Sequence, residues 1–76
     1  MIETVKARRN DSTEQIDILL HKGTNNKKQQ LAQAVDPAFK DDKLHIKNNT
    51  FIVEAVEEFW DTEAGFVRRD LLIRQI

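Results

Sequence analysis

Residues Asn49 to Asp61, reading NTFIVEAVEEFWD, decide how the rest of the chain is interpreted. Stepped at about 100° per residue, the stretch separates into two sectors with no misplaced side chain. Phe51, Ile52, Val53, Ala55, Val56, Phe59 and Trp60 fill an arc of roughly 200°, and Glu54, Glu57, Glu58 and Asp61 fill the remainder. So wide an apolar arc predicts a helix over 50–61 that is more than half buried, with Asn49 or Thr50 as its N-cap. Phe51, Val56 and Phe59 are then enclosed, the carboxylates face water, and the other segments pack around the rod. An extended ribbon at these positions, or a solvent-facing Trp60, is incompatible with that arrangement.

Outward from this stretch the signals are more mixed. Asp61-Thr62-Glu63-Ala64-Gly65 marks a break, and the tail FVRRDLLIRQI has no clean face in either period. As a strand, Val67, Leu71 and Ile73 oppose Phe66, Leu72 and Ile76; on a helical wheel the apolar residues fall on three sides. A terminal segment apolar on two sides predicts that residues 66–76 are buried against a second subunit. Upstream, Ser12 with Gln15 forms a capping-box pattern and Gly23 suits a C′ position, predicting a helix over 12–22 with Ile16, Leu19 and Leu20 inward. Ile16, Ile18 and Leu20 also alternate as a strand would. A second helix over 26–35 is stopped by Asp36-Pro37, and a short third one starts at Pro37 with Ala38 and Phe39. It fades over 43–47, where Leu44 and Ile46 suit a brief extended stretch. Residues 1–10 fit a short edge strand or a flexible basic arm. The expected fold class is mainly α, a small bundle of four to five short helices forming one domain over 1–76. The alternative is α+β, with short terminal strands packed on the 50–61 helix.

A chain of 76 residues without cysteine has no disulfide framework and no thiolate metal site, and lies near the lower size limit for an unaided core. The formal net charge is −1, but it is unevenly spread. Residues 1–47 carry nine Lys or Arg against seven acids, a net of +2, and residues 48–76 carry three against six, a net of −3. Distribution matters more than the sum for binding a polyanion. No apolar run approaches a membrane span and no leader-like segment opens the chain, so a cytoplasmic protein without membrane contact is expected. No P-loop, nucleophile elbow or metal-binding helix motif occurs, and His21 and His45 lack a third ligand of suitable spacing. An enzyme, a metal and a cofactor are therefore not expected.

The segment Gln30-Leu31-Ala32-Gln33-Ala34-Val35-Asp36 resembles the first helix and turn of helix-turn-helix regulators, where a small residue such as Ala32 lets the second helix cross closely. Arg9-Asn10, Leu19-Leu20-His21-Lys22 and Ala32-Gln33-Ala34-Val35 stand at spacing similar to the CII-type activators of phages. That resemblance covers about the first half of the chain. It implies a small, dimeric, DNA-binding transcriptional regulator of mobile-element type. Lys40, Lys43 and His45 would then enter a groove of double-stranded DNA, Lys22, Lys27 and Lys28 would hold phosphates, and Arg8 and Arg9 would contribute from a basic arm. A competing resemblance links Asn48 to Phe59 with the second helix of ribbon-helix-helix repressors. The alternative function is a non-enzymatic protein-interaction module or inhibitor, using the acidic residues Glu54, Glu57, Glu58 and Asp61 or the 66–76 tail.

Overall fold

A computed structural model describes residues 2–21, 29–34 and 38–76, with residues 66 and 67 described through their backbone. These residues form six strands: β1 (Ile2–Arg9), β2 (Gln15–His21), β3 (Gln29–Ala34), β4 (Lys43–Ile46), β5 (Asn49–Asp61) and β6 (Gly65–Gln75). Every pairing is antiparallel, and the order β1-β2-β3-β6-β5-β4 closes on itself through β4 and β1. Closure removes the free sheet edges of the barrel body, edges that would otherwise template aggregation.

The interior follows the two-residue period of extended chain. Val5 and Ala7, then Ile16, Ile18 and Leu20, then Ala32 and Ala34, Leu44 and Ile46, Phe51 and Val53, and Leu71 and Ile73 all point inward and are buried. Barrel diameter scales with strand number, and six strands enclose only enough room for side chains. The packing therefore alternates large with small. Ala7 lies in register between Ile16 and Ile46, and Ala32 between Leu20 and Leu71. An alanine flanked by two branched residues is what a narrow lumen requires.

The expected mainly α bundle is thus wrong, and so is the α+β alternative: the described residues contain no helix. The helix predicted over 12–22 is a turn followed by β2. Ser12 still accepts a backbone N–H, from Glu14 at 3.0 Å, but it closes a local turn and not a helix. Of the helix predicted over 26–35, Gln29–Ala34 is strand, which overturns the helix-turn-helix. The rest of that segment, the Lys27–Lys28 pair and the Asp36-Pro37 stop lie outside the described residues. Ala38 and Phe39 precede a turn, not a third helix, and Leu44 and Ile46 are extended as one expectation had them. The basic arm expected over 1–10 is mostly β1, paired with β2 along Ile2–Arg8 and with β4 at Ala7–Arg9. The 50–61 helix, and with it the ribbon-helix-helix likeness, is β5.

Strand β5 is the longest element. Thirteen residues at about 3.3 Å each span ~40 Å, comparable to the 38 Å long axis of the molecule. Its neighbour β4 pairs only with Asn49–Ile52, and β3 pairs with β6 only over residues 69–74. Beyond the Glu58–Arg69 pair, β5 and β6 have only each other as ladder partners among the described residues. The hairpin therefore outruns the barrel. At its tip the Asp61 carboxylate accepts the N–H groups of Glu63 (2.7 Å) and Ala64 (2.9 Å), and Gly65 returns the chain at φ +83°. A Cβ at Gly65 meets nothing within 4 Å, so only backbone strain opposes it. Gly65→Ala is expected to cost about 1–2 kcal/mol in chemical denaturation, all of it from the left-handed backbone; unchanged stability would mean that the turn closes without a positive φ at residue 65.

Candidate interaction surfaces

The projecting hairpin carries the most distinctive surface. Trp60, near its tip, is 66% exposed, which is unusual for the largest apolar side chain of a small domain. Residues 54–70 hold six acids against two arginines, Arg68 and Arg69. The expected acidic face does not survive as one surface, because the strand distributes its members. Glu54 binds Arg74 at 3.0 Å and Gln29 at 2.8 Å; those two contacts, Arg74 first, hold its carboxyl below the usual glutamate value. Glu58 binds Arg69 at 2.6 Å. Asp61 is committed to the tip turn, where the N–H groups of Ala64 and Glu63 lower its pKa. Glu57 is exposed, opposite Asp70.

Arg69 anchors the base of this hairpin. Only 7% exposed, it faces inward at the rim of the barrel, opposite the small Ala34, and its guanidinium lies 4.9 Å from the ring centre of Phe39. Phe39 belongs to the connection that β5 holds in place, through Asp41 N–H to the Val53 carbonyl (2.8 Å) and Val53 N–H to the Asp42 carbonyl (2.9 Å). On the outer side, Arg68 covers the Phe59 ring at 4.3 Å. Cation–π contacts of this kind stiffen an otherwise isolated ribbon. Alternation along β5 carries Trp60 to the same face as Glu58, so Trp60, the Glu58–Arg69 pair and Phe39 run down one side of the hairpin.

The residues expected to contact DNA fall into three groups. Arg8, Lys43 and His45 come together on the outer face of β1 and β4, with Arg8 directly opposite His45. Arg9 is half-buried opposite Leu44, and Lys40 sits exposed in the connection before β4, 3.8 Å from Asp41. Lys22, Lys27 and Lys28 lie outside the described residues. Lys47, in the turn after β4, also borders the β1–β4 face, 3.0 Å from Glu3, although it was not among the expected contacts; no sequence signal marks it. His45 Nδ1 lies 3.3 Å from the Thr50 hydroxyl, which orients the ring. Among the described residues no group of three or more His, Asp and Glu side chains is placed to hold a metal ion, and no helix is long and apolar enough to cross a membrane. No family model, curated protein or solved structure matches this chain.

Proposed function

We propose that this protein is a non-enzymatic protein-interaction module whose contact element is the β5–β6 hairpin. The observation that carries the proposal is the exposure of Trp60 (66%) at the end of a ribbon that outruns its barrel. Tryptophan is the residue most enriched at interface hot spots, where its large apolar surface fills a pocket in the partner. The hairpin is stiffened at its base by the Glu58–Arg69–Phe39 stack, so little ordering entropy is lost on docking. Glu63, exposed in the tip turn, and Glu57, exposed on the ribbon face opposite Trp60, give the hairpin a negative charge that selects the partner's chemistry: an apolar pocket rimmed by lysine or arginine.

Photo-crosslinking tests this. Crosslinkers placed at Glu57 and Glu63 are expected to capture a partner that one at Asp17, on the barrel wall, does not. Trp60→Ala should weaken that complex by about thirtyfold, roughly 2 kcal/mol, and leave thermal stability within about 0.5 kcal/mol. Equal capture from all three positions, or a Trp60→Ala complex of unchanged affinity, would remove the proposal. Capture of a second copy of the chain would instead make the hairpin a self-association element.

A further inference from the structure

The outer face of β1 and β4 has a different character, and the hairpin proposal makes no use of it. Arg8 and His45 are register partners. Lys43 stands one step of about 6.7 Å further along β4 from His45, where its carbonyl accepts the Asn10 N–H at 2.7 Å. Lys47 lies at the other end, in the β4–β5 turn at φ +56°, on the side of Lys6. An open groove of about 420 Å³ runs past Lys6, Arg8, His45 and Lys47, with the Glu3 carboxylate also on its wall. Placing cations directly opposite one another destabilises a sheet. Two of them are offset: Lys6 binds Asp17 at 2.6 Å and Lys47 binds Glu3 at 3.0 Å, both as surface pairs of small energy. Arg8 and Lys43 enter no ion pair among the described residues.

We infer that this face is a phosphate track that binds the backbone of nucleic acid without reading its sequence. Arg8 supplies a planar fork suited to a phosphate, and His45, oriented by Thr50, sits directly across from it. Lys6, Lys43 and Lys47 act as point charges along the same line, and the Asp17 and Glu3 pairs can exchange for phosphate. A line of cations that runs from Lys47 past Arg8 to Lys43 suits a chain of phosphates better than a single one. Among the described residues this face presents no Phe, Tyr or Trp to serve as a stacking platform, so charge carries the binding, and no apolar anchor, which an acidic peptide partner would need for affinity. Counterion release then supplies the binding, with a Kd in the range of about 10⁻⁴–10⁻⁶ M at physiological salt.

The test uses the full chain in salt-titrated binding to short mixed-sequence duplex DNA, with inorganic polyphosphate and poly-glutamate as parallel probes and amide chemical shifts as the map. Duplex binding is expected with a log–log salt slope of about −2 to −4 and shifts centred on residues 4–8 and 43–47. Arg8→Ala with Lys43→Ala should reduce that slope by about two and weaken binding at low salt roughly tenfold. Both side chains are exposed, so the barrel should persist, and the wild-type shift map locates the site even if a variant misfolds. Trp60→Ala should leave DNA binding unchanged, which separates this site from the hairpin. Three results overturn the inference: no duplex binding at low salt, shifts centred elsewhere, or a slope indifferent to the two substitutions. Poly-glutamate binding as tightly as the duplex would overturn the choice of phosphate, and polyphosphate binding without duplex binding would overturn the choice of nucleic acid.

Discussion

Leu71→Ala is expected to cost about 4 kcal/mol, in the upper half of the range for buried leucines. The size of the loss follows from closure. Leu71 is fully buried, and its register neighbours are Ala32 on β3 and Val56 on β5. Ala32 has no side chain to swing into the vacated space. The backbone cannot collapse either, because β6 is hydrogen-bonded on both flanks at this level. The cavity therefore persists and adds to the lost transfer energy. At roughly 0.05–0.15 kcal/mol per residue, a chain this short has a total stability of the same order. The variant should stand at the edge of unfolding at room temperature, while Leu71→Met, which preserves volume, loses less than about 1.5 kcal/mol. Urea denaturation followed by far-ultraviolet circular dichroism measures both, since the exposed Trp60 is a poor reporter of the core. A loss under about 1 kcal/mol for Leu71→Ala would place residue 71 outside the barrel.

The same strand pair explains why the fold resists being read from residue order. The β5–β6 register slips between Val53 and Ala55, with Glu54 as the extra residue of a bulge. Inward positions therefore run 51 and 53, then 56, so the two-residue alternation breaks in the middle of the apolar run. On the outer face Ile52 is half-buried and Phe59 is half-buried beneath Arg68, so apolar residues occupy both faces and no clean alternation survives. The composition did point the other way: Thr50, Ile52, Val53 and Val56 are β-branched and Phe51, Phe59 and Trp60 are aromatic. In β2 the alternation of Ile16, Ile18 and Leu20 was plain, yet a capping-box pattern competed with it. Ala32 is small because Leu20 and Leu71 flank it across the barrel ladders, not because a second helix crosses over it. For the sites, Arg8 is legible in the sequence as a candidate phosphate contact, and Lys43 and His45 as candidate groove contacts. Their convergence is not, since residues 8 and 45 meet only through β1–β4 closure. The exposure of Trp60 was hidden by the same helical wheel that buried it.

The Glu58–Arg69 pair gives the second large effect, and its sign depends on which partner is removed. Glu58→Ala leaves a 7%-exposed guanidinium deprived of the carboxylate 2.6 Å away. Deleting one partner of a fully buried pair costs about 3–5 kcal/mol. Glu58 is 40% exposed, so water reaches this pair, and the expected loss falls to about 2–3 kcal/mol. Arg69→Met removes the buried charge together with its need for a counter-charge, keeps most of the packing against Ala34 and Phe39, and should stay within about 1 kcal/mol of the parent. The double variant should then recover most of what Glu58→Ala loses, a coupling of roughly 2 kcal/mol in a double-mutant cycle. Losses that simply add in the double variant, a coupling near zero, would mean that the pair contributes as two independent surface groups. Stability is only half of the consequence. The pair sits at the last level where β3 still flanks β6, so it ties the free ribbon to the barrel. Arg69→Met should therefore speed amide exchange in residues 59–66 while the barrel strands keep their protection. If the hairpin docks through Trp60, that variant also weakens docking at nearly unchanged stability, because a looser ribbon gives up more entropy on binding.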